Sequence, residues 1–146
     1  MKFDLSHSGW PHDGAAMLLA RSFPQVYFNL CWTPLLSRAL GRRVLSEAID
    51  MLPADKILIG TDTGTPESFL GAVWLIRSLL TEVLEEKVRG GQFALDAAKG
   101  LACSILLDNP LAFYGMRQDQ VPALEDEALS SCAPGEVPLP FLDPEG

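Results

Sequence analysis

"KILIGTDTGTPES", residues Lys56 to Ser68, is the stretch on which the fold turns. Ile57, Leu58 and Ile59 are apolar at consecutive positions, so both faces of the segment ask to be covered. That is the habit of a buried strand in a parallel sheet, whereas a half-wet antiparallel strand alternates apolar with polar. Asp62 stands at the exit of this strand, where a charge is either a turn residue or a working one. Thr65-Pro66 then opens a helix by the cap-then-proline signal.

Outward from this stretch the same alternation repeats. "KFDLSH" reads as a short strand ending at His7, followed by the turn "SGWPHDG" and a helix over Ala15 to Ser22 that Asp13 is placed to cap. "QVYFNLCW", Gln25 to Trp32, is rich in β-branched and aromatic residues and reads as a second strand. "TPLLSRALGRRVLSEAIDML" repeats the Thr-Pro start and carries apolar residues at a spacing of three and four, from Leu35 to Leu52. Beyond the third strand, one apolar stripe runs from Phe69 to Val88, with Gly90-Gly91 to stop it. A last helix is expected from Phe93 to Asp108, interrupted by Pro110, with "LAFYG" as one further turn closed by Gly115.

The order β-α-β-α-β-α-α, with connections long enough only for helical crossovers, predicts an α/β fold of parallel βα units. Three strands do not close on themselves. They predict part of a larger barrel or open sheet, with two bare edges.

Composition bounds the function. The chain of 146 residues is 48% apolar, which suits one globular domain with a real core. No apolar run reaches the ~18–20 residues of a membrane span, and "MKFDLSHSGWP" lacks the apolar centre of a signal peptide. Cys31, Cys103 and Cys132 are scattered and odd in number, which fits a reducing cytoplasm. The net charge is −8, and residues 116–146 hold seven acids against the single base Arg117. Nothing resembles a basic face for nucleic acid. The acidic, proline-rich residues 116–146 read as a poorly ordered tail behind a structured region of residues 1–115.

In parallel α/β folds the site lies at the carboxyl ends of the strands. Those ends carry His7, then Cys31 and Trp32, then Asp62. An imidazole and a carboxylate on one rim can bind a divalent metal or move protons. Asp62 in "TDTG" also suits an aspartate that bonds its own turn, and His7 also suits a satisfied core histidine. Trp10 and Trp32 serve either as packing or as walls for a substrate. Glu67, in the first turn of a helix, either stabilises that end or meets a substrate. There is no H-x-H, no G-x-S-x-G, no phosphate-binding glycine loop and no paired C-x-x-C.

Four segments, "LSHSGWP", "ARSFPQVYFNLCW", "LPADKILIGTDTGTPES" and "ILLDNPLAFYG", resemble in order the C-terminal part of the amidohydrolase-related proteins. These are metal-dependent (β/α)8 barrels. The likeness is nearest to the amidohydrolase-like domain fused to some glutamine synthetases, with decarboxylases as more distant cousins. It spans Lys2 to Gly115 and implies that the three strands are the last three of such a barrel. It further implies that Asp62 coordinates the catalytic metal and handles protons on the attacking water. His7, in an "H-x-G-x-P" setting, would sit beside the metal and polarise the substrate. "NPLAFYG" matches the element that closes the family's last helix.

The expected activity is therefore hydrolysis of an amide, ester or related carbon centre of a small molecule, or decarboxylation at the same site. The expected cofactor is a divalent metal, zinc or manganese, held by Asp62 and His7. The family's strand-one H-x-H is missing, so the isolated chain offers at most two of the ligands. It is expected to be incomplete, needing self-association or an N-terminal barrel half, or to survive as a non-catalytic interaction module.

Overall fold

The computed structural model describes residues 1–120. The chain divides into two compact units, Met1–Met116 and Arg117–Gly146. Of the second, the described part is a 3-10 turn over Gln118–Gln120, with Arg117 paired to Asp119 at 3.0 Å. The proposed acidic tail otherwise lies outside the described residues.

In the first unit, strands β1 (Phe3–Leu5), β2 (Val26–Asn29) and β3 (Ile57–Leu58) form a parallel sheet in the order β1-β2-β3. Helices α1 (Asp13–Ser22), α2 (Thr33–Leu36), α3 (Arg38–Met51), α4 (Pro66–Arg89), α5 (Leu95–Cys103) and α6 (Asn109–Tyr114) make up most of the rest. The expectation of an α/β chain forming the last three strands of a (β/α)8 barrel is corrected here. Helix accounts for 68% of the described residues, the sheet is small, and nothing among them shows a barrel. The apolar runs suggest full-length strands, but only three, four and two residues pair. The flanking residues turn away to make the connections.

The sheet register, Leu5 beside Phe28 and Phe28 beside Ile57, gives the sheet one apolar face. Phe28 and Ile57 are fully buried there, in one cluster with Met17 of α1, Val44 and Ala48 of α3, and Leu79 and Val83 of α4. Each of these side chains larger than alanine contributes about 1.5–3 kcal/mol by leaving water. The other face carries Asp4, Tyr27, Asn29 and Leu58. Part of it is met by α6, whose Phe113 ring lies 4.8 Å from that of Tyr27 and whose Asn109 amide donates to the Ile57 carbonyl at 2.9 Å.

Helix α4 starts as its sequence demands. The Thr65 hydroxyl accepts from the Ser68 N–H at 3.2 Å, and the Ser68 hydroxyl accepts from the Thr65 N–H at 3.2 Å, a closed capping box. Arg38 and Arg42 of α3 reach Glu82 of α4, each at 2.8 Å, and Arg42 also meets Glu86. Asp13 does not cap α1; it is the helix's first residue and pairs with Arg43 at 3.0 Å.

Two breaks escaped the periodicity. The second helix is split at Ser37, which is extended (φ −160°) and caps α3 by accepting from the Leu40 N–H at 3.3 Å. The split folds α2 against α3 so closely that a Cβ on Gly41 would lie 2.8 Å from Pro34 Cα. Pro110 does not interrupt the last helix. A π-helical turn over Ser104–Asp108 precedes it, and the proline sits at the start of α6, where its missing N–H is tolerated. Among the described residues no helix is long and apolar enough to cross a membrane.

Candidate active site

The three strands end on one rim, and the rim is built of unusual backbone. Among the described residues four non-glycine residues have positive φ, His7 (56°), Ser8 (56°), Trp32 (60°) and Asp62 (51°), and all four follow the last paired residues of the strands. A bulky residue such as Trp32 in that region is a true outlier. Such conformations cost of order 1–3 kcal/mol each and persist only where the surroundings fix them, which is the habit of functional sites.

The surroundings fix them by cross-links between strand exits. The His7 N–H donates to Cys31 Sγ at 3.3 Å, and the buried Ser8 hydroxyl meets that of Thr33 at 2.9 Å, joining the first exit to the second. The Asn29 side chain joins the second to the third, accepting from the Gly60 N–H at 3.0 Å. Gly9 continues the left-handed turn at φ 65°, and a Cβ there would lie 2.5 Å from that of Ala16. Only glycine lets this turn lie so close to α1.

Across the rim His7 Nε2 lies 2.9 Å from Asp62 Oδ2. A carboxylate only accepts, so the proton belongs on Nε2 and the lone pair on Nδ1. Both side chains are about half exposed, 46% and 56%. A pair that open adds only ~0.2–1 kcal/mol to stability. The Trp32 ring lies beside the imidazole, with centroids 5.3 Å apart and planes at 58°. Burial pushes the Cys31 thiol up from its ordinary value; the His7 N–H and Ser6 oppose this, and the charges of Asp4 and Asp62 add to it.

Of the residues singled out from sequence, His7, Asp62 and Trp32 are therefore brought together. Trp10 is exposed on the turn after His7, and Glu67 is exposed in the first turn of α4. Neither makes a hydrogen bond or ring contact with the pair among the described residues. Sequence reasoning missed Asp4, Ser8 and Asn29. The signal for Asn29 was a lone amide inside the apolar run "VYFNLC".

The donor set does not fit the implied metal. Zinc takes four ligands, or three from the protein plus water. The rim offers the remaining nitrogen of His7, the Asp62 carboxylate bonded to the other nitrogen, and Cys31, where burial raises the thiol and disfavours the thiolate a metal needs. Among the described residues no group of three or more histidine, cysteine, aspartate or glutamate side chains is gathered.

Comparison with known proteins adds one relative. Protein fluG of Emericella nidulans is 31% identical over 118 residues. The match covers 80% of this chain but 14% of that protein, so this chain spans a small part of the relative's length. No protein-family model matches the chain, and no solved structure does.

Proposed function

We propose that this chain carries the proton-handling part of a hydrolase site of the amidohydrolase type, acting on an amide, ester or related carbon centre of a small molecule. One observation carries the reading: the 2.9 Å contact of His7 Nε2 with Asp62 Oδ2 on a strained rim. The order of sequence motifs that resembles amidohydrolase-related proteins supports it independently. The free thiols of Cys31 and Cys103 suit a cytoplasmic setting, which belongs to the same reading.

In this reading Asp62 holds the imidazole in the tautomer whose Nδ1 accepts. Nδ1 takes a proton from water as the water oxygen bonds to the carbonyl carbon, and Asp62 steadies the imidazolium that forms. The proton then passes to the departing amine or alcohol as the old bond breaks. General acid–base catalysis of this kind contributes about 10²–10⁴-fold. Because the rim lacks a full ligand set, no step is assigned to a metal.

The test is turnover of a panel of small aryl esters and amides by the purified chain and its His7→Ala variant. Hydrolysis above buffer that falls by ~10²-fold or more in the variant is expected. Equal rates in the two proteins defeat the reading.

A second reading, a non-catalytic module that assembles through its surface, is favoured by exposed apolar side chains. Leu18, Leu19 and Phe23 at α1 and Phe69, Leu70 and Trp74 on α4 are all exposed. It predicts a defined oligomer in sedimentation, and a monomer at all concentrations counts against it.

A further inference from the structure

We infer that Asn29 is the positioning residue that sets the spacing of the strand exits and thereby forms the His7–Asp62 pair. It is the last residue of β2 and only 6% exposed. Its Oδ1 accepts two backbone amides, Cys31 N–H and Gly60 N–H, each at 3.0 Å. Its Nδ2 donates to Asp4 Oδ2 of β1 at 2.9 Å. One side chain thus touches all three strands or their exits.

Both arms of the pair hang from these bonds. On one side, the amide fixed by Asn29 belongs to Cys31, whose Sγ holds the His7 N–H. On the other, the fixed amide belongs to Gly60, two residues before Asp62. The approach is tight enough that a Cβ on Gly60 would lie 3.1 Å from Cys31 Cβ. An apolar residue at 29 would take the acceptor from the buried Cys31 N–H and the half-buried Gly60 N–H, and aspartate would set a second carboxylate against Asp4 in place of a donor. Only an amide of this length both accepts twice and donates once.

The inference concerns the pair itself and rests on the reading above only in taking that pair as the working site. The test uses imidazole 15N spectra of the whole chain, in which His12 is the sole other histidine and serves as internal reference. Replacing Asp62→Asn should move the His7 Nε2 resonance and leave His12 unmoved. In an Asn29→Asp background that movement should shrink severalfold. The charge-conserving exchange Asp4→Asn with Asn29→Asp rebuilds the same bonds with donor and acceptor swapped, and should restore it, which a general loss of stability would not do. Gly60→Ala, which leaves Asn29 untouched and forces the exits apart, should weaken the response too and serves if Asn29→Asp does not fold.

An undiminished response in Asn29→Asp and in Gly60→Ala overturns the inference while the reading of the site stands. No response to Asp62→Asn in the otherwise unaltered chain removes the pair, and with it both the inference and that reading.

Discussion

The two ends of the same three strands are held by opposite means. At the amino ends, long side chains close off the backbone. Lys56, 8% exposed, donates to the Pro24 and Val26 carbonyls and lies 4.4 Å over the Tyr27 ring, and Asn109 donates to Ala54 and Ile57 carbonyls at 2.7 and 2.9 Å. No described residue there has positive φ. At the carboxyl ends the backbone is strained at His7, Ser8, Trp32 and Asp62, and a proton-carrying pair stands half open to water. The amino end is organised to satisfy its backbone carbonyls. The carboxyl end holds its strained residues by cross-links between the strand exits, with two polar side chains facing each other.

That contrast can be broken from either side. The largest expected effect on stability is at the amino end. Lys56→Ala strips the Pro24 and Val26 carbonyls of a charged donor and should cost about 2 kcal/mol in urea unfolding, while leaving the His7 imidazole signals in place. A stable variant with displaced His7 signals would mean the two ends are not separate. At the carboxyl end the sign should reverse. Asp62→Gly removes a weak exposed pair but relieves a left-handed aspartate, so it should hold or raise stability, by up to ~1 kcal/mol, and abolish turnover. A clear loss of stability would say that Asp62 is a structural turn residue.

The smallest effect is a pH dependence. Burial raises the Cys31 thiol above its ordinary 9.0, so the folded chain keeps a proton that the unfolded chain gives up first. The stability this provides is whole below the unfolded value and is lost as pH rises through the folded one. Cys31→Ser should flatten that alkaline fall, read as the pH dependence of the melting temperature. An unchanged fall would place its cause elsewhere.

Much of the helical layer was legible because its signals are local. Thr65-Pro66 marks the start of α4 and Gly90-Gly91 its end, and the stripe marks its buried side from Ile76 to Leu84, whereas Phe69 and Leu70 at its start are exposed. The break at Ser37 was not, since a serine within an apolar period reads equally as helix interior or as cap, and the choice was made by contact with Pro34 across Gly41. The barrel was read from a resemblance and from apolar runs, and neither fixes how many residues pair. His7 and Asp62 could be named from position at strand exits, but their contact depends on Asn29, Cys31 and Gly60, which are 31 residues apart at the widest and joined only in space. A lone amide in an apolar strand was the one trace of that arrangement in the sequence.

In the proposed site the His7 proton sits on Nε2, facing Asp62. The most direct test is the tautomer of His7 from long-range 1H–15N couplings in the intact chain. A single Nε2–H form of the neutral His7 ring is expected, with the lone pair on Nδ1. A proton on Nδ1, or averaging between the two tautomers that Asp62→Asn leaves unchanged, would contradict it.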